Sequence, residues 1–472
     1  MRKFYWYFTG FIAKHGWKVI LSIVGGILVF SVVVPYASSK FKWTHRRYIG
    51  IIGSYTPATL PDEVQRKLSA GLTTITEDGS AVGALAERWT VEQENKTYRF
   101  LIKKNLLWQD GSPITPDEIS YAFPDVQVIT TPNDVIFKLP SAFSPFPTLV
   151  EKPIFKSGTK KRWLFWNEST LLGVGEYRLN GYLLNGQRLK ELTIENDDER
   201  LIYRFYKTEQ EAVNAFKQGE IDELPDLVGT FDVMEWNNVN TTPRTDYWKF
   251  VAIFFNIRDP LMSKNVRQAL SYALTKPEGE TRAIGPISPL SWAYLPGGKT
   301  YDKDWPRAAE RLLEEPPGEQ IELTLTTTAE YQEMADQIKS EWEAFGAYAA
   351  DACQKNDAIT DKVTCERVKI LVNIRVQSVP DTSNFQLLLI GYGIDPDPDQ
   401  YALWHSDQPT NITGYKNTRI DNLLEKARQT TEQSERKQQY QEFQQFLLED
   451  PPAIFLQYIN RYEVQRKPLF DR

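Results

Sequence analysis

The sequence predicts a mixed α/β protein of two or three domains, preceded by an apolar N-terminal helix. Three observations lead to this fold class. The chain has 472 residues, which exceeds what a single hydrophobic core usually organises. Segments with the two-residue period of strands alternate with segments that carry apolar residues at helical spacing. Residues 19–36 form an apolar run without a charged side chain.

The apolar run predicts a transmembrane anchor over residues 19–36, with residues 1–18 as a short cytoplasmic tail. At about 1.5 Å per helical residue, the run is just long enough to cross a hydrocarbon core of about 30 Å. Basic residues flank it on both sides, so their distribution does not fix its orientation. A signal peptide cleaved near residues 37–39 is the alternative.

The composition is that of a globular protein and restricts its partners. A net charge of −7 argues against nucleic acid as the main partner. The 3 histidines, His15, His45 and His405, are scattered along the chain. Because they form no cluster with ligand spacing, we expect no zinc or haem site and no other cofactor.

Residues 85–123 hold the most specific pattern in the chain. Residues 98–103 alternate between apolar and mostly polar side chains, which predicts a half-buried strand. Asp110-Gly111 is a turn, because glycine tolerates positive φ. Thr115 and Glu118 have the spacing of a capping box, so a helix is predicted to begin at Pro116.

Further elements follow in order. Residues 205–222 have the pattern of a short amphipathic helix that ends at a glycine. Residues 321–326 alternate as a strand, and residues 331–345 form a helix whose apolar stripe is expected to lie in the core. Residues 385–390 read as a buried strand that runs into the acidic sequence GYGIDPDPD.

The segments LAERW, TYRFLI and WQDGSPITPDE resemble the extracellular solute-binding proteins of family 5, the peptide- and nickel-binding group of ABC importers. The family pattern there is roughly L-A-x-x-W, T-Y-x-F-x-L and W-x-D-G-x-P-x-T-x-x-D. Gln109 stands where the family often has His. Similar segments follow in the same order at residues 171–179, 254–270, 411–427 and 450–458, so the resemblance covers nearly the whole chain beyond residue 68.

The resemblance implies a two-lobed, periplasmic-binding-protein-like fold of type II, cluster C. It places lobe I at 43–256 with an extra subdomain at about 60–165, lobe II at 257–452, and a return to lobe I at 453–472. It also implies that the binding domain is extracytoplasmic. The chain is then predicted to be a single-pass protein of the cell membrane, with an ABC permease and its ATPase as partners.

The acidic run at residues 395–399 allows several interpretations. Calcium usually takes 6–8 oxygen ligands, and two prolines fix the spacing here, so a complete cation site from this run alone is not expected. Hydrolysis requires two carboxyl groups that flank a substrate, which a sequence cannot place. A proline-rigid turn with solvated acids is the structural alternative.

The resemblance favours ligand binding for this segment. In peptide-binding members a G-W-x-x-D segment lines the cleft, its main chain pairs with the peptide, and its Asp meets the α-ammonium group. The corresponding residues here are Gly391, Tyr392, Gly393 and Asp395. Because the loop is about one residue shorter than in the family, Asp397 is the alternative anchor.

Three further positions, Leu389, Asn256 and Trp404, complete the prediction of the binding site. Leu389 replaces a basic residue that some members use for the peptide carboxylate, so anchoring of the C-terminus is not predicted from that position. Asn256 ends a strand near the predicted lobe crossing, where it is either a turn cap or a cleft-facing hydrogen-bonding residue. Trp404 completes the set of predicted ligand-binding residues.

Two cysteines, Cys353 and Cys365, bracket a polar segment. Because the resemblance places both outside the cytoplasm, we predict a disulfide between them. Two free thiols are the alternative. Their spacing is not that of a redox motif.

These observations predict a binding protein that is not an enzyme, which takes short peptides between its lobes and delivers them to a permease. The sequence has no nucleophile elbow, zinc-hydrolase motif or P-loop. A membrane-tethered interaction or chaperone-like protein on the same fold is one alternative. A carboxylate-dependent hydrolase is the other.

Overall fold

The computed structural model describes residues 2–33, 45–163, 166–356 and 362–467. Its helices are, in chain order, α1 Arg2–Leu28, α2 Asp62–Leu68, α3 Phe146–Leu149, α4 Glu209–Lys217, α5 Lys264–Ala273, α6 Trp305–Glu314, α7 Gln332–Lys355, α8 Val363–Arg367, α9 Tyr401–Trp404, α10 Thr418–Gln429 and α11 Gln433–Glu449. Its strands are β1 His45–Ile52, β2 Thr73–Ile75, β3 Ala81–Gly83, β4 Ala86–Glu92, β5 Thr97–Ile102, β6 Gln127–Thr130, β7 Asp134–Lys138, β8 Lys156–Trp163, β9 Trp166–Leu172, β10 Arg178–Asn185, β11 Arg188–Glu195, β12 Glu199–Tyr206, β13 Glu223–Leu227, β14 Val239–Phe255, β15 Ile321–Thr327, β16 Ile370–Val376, β17 Leu387–Gly393 and β18 Ala453–Arg466.

Ten strands form one mixed sheet in the order β10-β11-β12-β1-β13-β18-β14-β17-β15-β16. Strand β1 runs parallel to β12 and β13 on one side. Strand β15 runs parallel to β16 and β17 on the other. The long antiparallel pair β14–β18 joins the two halves. This arrangement confirms the predicted two-lobed α/β architecture.

The two central strands depart from regular pairing where they pass between the lobes. Asp246 pairs with Ile459 and Phe250 pairs with Tyr458, so residues 247–249 bulge out of the ladder. A bulge bends its strand and increases the local twist. We call residues 246–250 and 457–459 the crossing. The predicted lobe boundaries, including the change at residues 256 and 257, stay a prediction.

Each half of the sheet carries its own hydrophobic cores. In the second half one face packs against α5, α6 and α7 around Trp342, and the other packs against α10 and α11 around Tyr440. Helix α7 is longer than predicted, but its stripe is core as expected, because Ile338, Trp342 and Phe345 are all buried. The first half has two smaller cores of its own.

A separate four-stranded antiparallel sheet, β4-β5-β7-β6, lies within residues 60–165, where the sequence predicts an extra subdomain. We call this sheet and its core the subdomain, and the predicted bounds stay a prediction. Its core is aromatic: Phe146 lies 5.0 Å from Tyr98 and 5.1 Å from Phe137 between ring centroids. Strand β5 shows the predicted alternation, since Tyr98, Phe100 and Ile102 are buried while the residues between them are half-buried.

The helix predicted to begin at Pro116 is only a 3₁₀ turn, Pro116–Glu118, although its capping box forms. The Glu118 carboxylate also accepts hydrogen bonds from Trp108 Nε1 at 2.9 Å and Lys156 Nζ at 2.6 Å. Tyr121 then bonds to two main-chain groups of the subdomain core. These tertiary contacts hold the residues after Glu118 in a non-helical conformation. The capping box forms, but it does not extend the turn into a helix.

Cys353 and Cys365 form a disulfide with an S–S distance of 2.01 Å, which joins the end of α7 to α8. At the N-terminus, α1 is kinked at His15 and continues into a π-helical turn, Val29–Val33. Among the residues with a described structure, no helix is both long and apolar enough to cross a membrane. Residues 34–36 of the predicted anchor lie outside them.

Candidate functional site

Strand β17 carries the predicted binding segment into the crossing. Gly393 pairs with Lys249 of β14, and the following Ile394 N–H donates to the Trp248 carbonyl at 2.7 Å. The last residues of β17 are therefore held against the bulge between the lobes. This places the loop at residues 394–399 at the junction of the two halves.

One edge of β17 is open at this point. Strand β15 pairs with β17 only as far as Leu389, whereas pairing with β14 continues to Gly393. Among the strands that the structure describes, none lies beside residues 390–393 on the β15 side. Main-chain groups at such an edge can pair with an added strand. A Cβ at Gly391 would stand 2.6 Å from the Tyr331 hydroxyl, so a larger residue there would require the Tyr331 side chain to move.

The three acids of the run have different partners. Asp397 is 6% exposed, and its two oxygens accept from the Arg436 guanidinium at 2.7 and 3.1 Å. Asp399 accepts from Arg428 at 2.6 to 3.1 Å. Asp395 is exposed, and the described part of the chain gives its carboxylate no hydrogen bond or ion pair. Of the three, only Asp395 is free to meet a ligand.

The electrostatic surroundings of these acids follow from that arrangement. Desolvation by the surrounding protein raises the pKa of Asp395, although its side chain reaches solvent, and the nearby Asp399 carboxylate raises it further. Burial also raises the pKa of Asp397, while Arg436 opposes the rise. A carboxylate with a raised pKa and no cation beside it is stabilised when a positive group arrives.

Two of the predicted ligand-binding residues are largely structural. Trp404 is fully buried and donates from Nε1 to Gln400 Oε1 at 3.1 Å, so its ring is part of the core. Tyr392 is half-buried, with its ring 5.8 Å from Phe250 and 5.9 Å from Phe254 between centroids. Its side chain packs on the core, and its main chain belongs to the open edge.

Asn256 is not brought to this site. It follows Phe255, which pairs with Leu387 at the opposite end of β17, about 20 Å from Gly393 at the rise of an antiparallel strand. Its side chain donates to the Phe385 carbonyl at 2.9 Å and accepts from the Arg258 N–H at 3.3 Å. This is the turn-cap arrangement that the sequence left open.

A cavity of about 810 Å³ lies beside the crossing. Its size is typical of sites for small ligands. Tyr247 and Tyr458 line it, with their ring centroids 5.3 Å apart. Residues between 275 and 303 form the rest of the wall. Tyr247 adjoins Trp248, whose carbonyl accepts from the Ile394 N–H, so the cavity and the loop that carries Asp395 both adjoin the crossing.

No sequence pattern marks the residues of this cavity wall. Tyr247 and Tyr458 stand in strands that also carry core aromatic residues, among them Phe250 and Phe455. Arg282 lies in a segment with no strong periodicity or motif. Tyr247 lies in the bulge at residues 247–249, and a bulge leaves no mark in the pattern of residues.

The subdomain touches the second lobe directly. The Ser144 hydroxyl donates to the Ala427 carbonyl at 2.8 Å, and its N–H donates to the Arg428 carbonyl at 2.7 Å. The Trp292 N–H donates to the Asp78 carbonyl at 3.0 Å. At Gly79 a Cβ would stand 2.2 Å from the Pro396 carbonyl oxygen. The lobes are thus joined by a second set of contacts besides the crossing.

Comparison with known proteins gives a consistent result. The model of "Bacterial extracellular solute-binding proteins, family 5 Middle" matches residues 80–414. The dipeptide-binding protein DppE of Bacillus subtilis is 22% identical over 478 residues, which cover 84% of this chain and 82% of that protein. The oligopeptide-binding protein AppA of the same organism is 26% identical over 243 residues, 45% of this chain and 42% of its own.

Solved structures share the fold. NikZ from Campylobacter jejuni in complex with Ni(L-His) aligns with a TM-score of 0.66 and 21% identity over 89% of this chain and 94% of its own. AppA from Bacillus subtilis in complex with a nonapeptide aligns with a TM-score of 0.61 and 19% identity over 91% and 96%. Since the family model spans well over half of the sequence, the chain belongs to family 5 of the bacterial extracellular solute-binding proteins.

Proposed function

We propose that this protein is the substrate-binding component of an ABC importer, which takes up short peptides at the crossing and delivers them to a membrane permease. The family consists of solute-binding proteins rather than enzymes. One observation carries the choice of ligand. An unpaired carboxylate, Asp395, follows the open edge of β17, and the crossing to which this loop is held also carries Tyr247 and Tyr458 of the cavity wall.

A peptide suits both parts of this arrangement. Its main chain can add to the open edge at residues 390–393 as an extra strand. Its α-ammonium group can then pair with Asp395, because the desolvated carboxylate has no cation beside it among the described residues. Recognition through the main chain tolerates many side chains, so the structure supports a peptide class rather than one sequence.

The relatives bind different solutes, and the residues of this chain favour peptide over nickel. They include a dipeptide-binding protein and a protein in complex with nickel and histidine. In the part of this chain that the structure describes, no group of three or more His, Cys, Asp or Glu is arranged to hold a metal ion. His405 is buried and its ring nitrogens contact Glu425 and the Asp407 N–H.

Native mass spectrometry of the purified protein tests this proposal. We expect adducts whose masses are those of short peptides, retained from the host. Asp395→Asn, purified in parallel, should carry less of them, and Asp336→Asn on the exposed face of α7 is the matched control. Bound oligosaccharide or nickel without any peptide would contradict the proposed ligand.

We further propose that the binding domain works outside the cytoplasm and that residues 19–36 tether it, with the N-terminus inside. The buried disulfide fits an oxidising compartment. The uncharged run supports the tether. Resistance of the protein to carbonate extraction from membranes, together with an intact N-terminus, is the expected result. A mature chain that begins after residue 37 would instead identify a cleaved signal peptide.

A further inference from the structure

The hairpin β10–β11 exposes a run of apolar side chains near its turn. Tyr182, Leu183 and Leu184 are 46%, 58% and 47% exposed. Among the described residues beyond α1, no other three consecutive large apolar side chains are exposed. A globular domain rarely shows such a run to solvent unless the run has a function. We call residues 182–190 the hairpin tip.

The hairpin tip lies at an edge of the ten-stranded sheet. Strand β10 is an edge strand, and no strand in the described ranges pairs with its outer side. Tyr182 pairs with Leu192, which is buried, and Leu183 pairs with Glu191. Successive side chains of a strand point to opposite faces, so the exposed run covers both faces of the tip. A partner can therefore contact the tip from either face and from its outer edge.

The uncompensated charges of the hairpin tip are positive. Arg188 and Lys190 are exposed, and the described part of the chain gives neither side chain an ion pair. The one acid that follows them, Glu191, is already paired, because its carboxylate accepts from Arg204 Nε at 3.1 Å. The tip therefore combines apolar side chains with two free cations.

The segment packed beside the tip adds no opposing charge. The Tyr55 carbonyl accepts from the Leu189 N–H at 2.8 Å, which places the loop at residues 53–61 against the hairpin. That loop contains no charged residue. Exposed apolar side chains next to basic ones are typical of surfaces that bind anionic lipid headgroups, and tyrosine is enriched at membrane–water interfaces.

A second copy of the chain fits this surface less well. A two-fold contact places the same patch of both copies together, so the basic groups of the tip would meet their own counterparts. Like charges that face each other across strands are destabilising. An anionic surface has the opposite sign and no such repulsion.

The place of the tip in the sheet is compatible with the proposed tether. Strands β11 and β12 separate β10 from β1, so three strand spacings, about 14 Å, lie between β10 and β1. Strand β1 begins at His45. Residues 37–44 join it to the proposed tether, and a segment of that length reaches at most about 29 Å. The chain therefore allows the β10 edge to face the membrane in which residues 19–36 are proposed to lie.

We propose that the hairpin tip rests on the headgroups of an anionic lipid surface. Tyr182, Leu183 and Leu184 enter the headgroup region, and Arg188 and Lys190 contact lipid phosphates. The outer N–H and C=O groups of β10 have no strand partner, which is costly in hydrocarbon, so the contact stays at headgroup depth. It turns one edge of the sheet toward the membrane and the other edge, β16, away from it. This inference goes beyond the proposed function and does not depend on the ligand.

Fluorescent labels at the two edges of the sheet test this orientation. Leu183→Cys puts a thiol on the tip, and Leu371→Cys puts one on β16, where Leu371 is 46% exposed. The native cysteines are buried in a disulfide, so an environment-sensitive dye attaches only to the new thiol. The full-length protein is mixed with vesicles of phosphatidylcholine and phosphatidylglycerol that contain nitroxide-labelled lipid. We expect a blue shift and quenching of the dye at position 183, and neither change at position 371.

The charge of the tip should determine the strength of the contact. Arg188→Gln combined with Lys190→Gln should lower the equilibrium constant for contact by about 30-fold, since each basic residue near an anionic surface contributes about fivefold. Vesicles of phosphatidylcholine alone should give a similar loss. Lys416→Gln combined with Lys426→Gln removes the same charge from two exposed positions elsewhere and should leave the contact unchanged.

The remaining outcomes contradict the inference. Absence of quenching at position 183 in anionic vesicles overturns it, whether or not the N-terminal segment tethers the protein. Equal quenching at both positions would mean that the domain has no preferred face, and equal quenching in neutral vesicles would exclude the anionic partner. A blue shift without vesicles that grows with protein concentration would identify a second copy as the occupant. Peptide binding, measured separately, stands in each of these cases.

Discussion

At the scale of single residues, the acidic run shows that acidic side chains only two positions apart in the sequence have different roles. Asp397 and Asp399 bind arginines of the same lobe, and only Asp395 is left for a ligand. We predict that Asp395→Asn weakens binding of peptides with a free amino group by about 30-fold or more, the usual cost of removing one partner of a desolvated charge pair.

The chemical form of the ligand provides the control for that prediction. N-acetylated peptides have no ammonium group, so Asp395→Asn should change their affinity little. Calorimetry with acetylated and free peptides on both proteins measures the difference. Equal losses for the two peptide forms would show that the substitution disturbs the loop rather than a charge pair.

The pH dependence of binding should carry the signature of the same residue. The pKa of Asp395 in the free protein is raised above 3.8, and an ammonium group that binds the ionised form lowers it again. The free protein then takes up a proton at higher pH than the complex does, so affinity is constant above the raised pKa and falls as pH decreases through it. Affinities measured from neutral to acidic pH should show this fall in the wild type, and Asp395→Asn should lack it.

Asp397 should affect stability instead of ligand binding. Its pair with Arg436 is buried on both sides, at 9% and 7% side-chain exposure. Removing one partner of such a pair typically costs about 3–5 kcal/mol, because the other charge stays buried and unpaired. Urea denaturation of Asp397→Asn should show a loss of that size, and Asp395→Asn should unfold nearly as the wild type does. A loss below about 1 kcal/mol for Asp397→Asn would mean that the buried charge finds another partner.

At the scale of elements, the sequence predicted individual turns and strands better than the contacts between them. The segments WQDGSP and LLGVGEY were each recognisable in the sequence. That Gln109 connects the two segments was not predicted. Its side chain donates to the carbonyls of Gly175 and Tyr177 at 3.0 and 2.6 Å and accepts from the Gly173 N–H at 3.2 Å. At Gly173 a Cβ would stand 2.0 Å from the Leu68 carbonyl oxygen, so only glycine permits this approach.

The candidate site was predicted unevenly for a related reason. The strand that carries Gly391 and Asp395 has a strong local pattern, and the structure places both at the lobe junction. Trp404 and Asn256 were both included among the predicted ligand-binding residues, but the structure places Trp404 in the core and Asn256 in a turn cap. Whether a tryptophan or an asparagine faces a cleft depends on which distant strand packs beside it. Arg282 was missed because it lines the cavity from a segment without a strong periodicity or motif.

The disulfide is a covalent link between two helices, and its contribution to the free energy of unfolding can be measured. It closes a loop with a sequence separation of 12 between α7 and α8. The chain-entropy model gives about 3 kcal/mol for a loop of this length. We predict that replacement of both cysteines by alanine lowers the free energy of unfolding by about that amount. The double variant should then be insensitive to reductant, whereas the wild type should lose stability in it.

At the scale of the whole molecule, two long strands and one surface contact determine how the lobes relate. The crossing bulges on β14, and the subdomain bonds to the second lobe through Ser144 and Asp78. Bonds of this surface contact break if the lobes separate, whereas the main-chain ladder of the crossing can bend. The structure therefore has the elements of hinge closure, in which a ligand that bridges the lobes favours the closed state.

Small-angle scattering should show this closure as a decrease in the radius of gyration when a saturating peptide pool is added. Gly79 offers a specific way to block it. Its φ is +84°, and a side chain there would press on the Pro396 carbonyl across the contact. Gly79→Val should thus keep the protein expanded even with peptide present. Gly111 is the matched control, because its φ is also +84° but nothing lies within 4 Å of its Cβ position.

The pair of variants separates closure from backbone strain. Gly79→Val and Gly111→Val impose the same unfavourable φ on a branched residue, so both should lose similar stability for that reason. Only Gly79→Val should also lose compaction and peptide affinity, because only its side chain obstructs the approach of the second lobe. If the wild type scatters identically with and without peptide, the lobes are fixed in the arrangement seen here, and binding must occur without hinge motion.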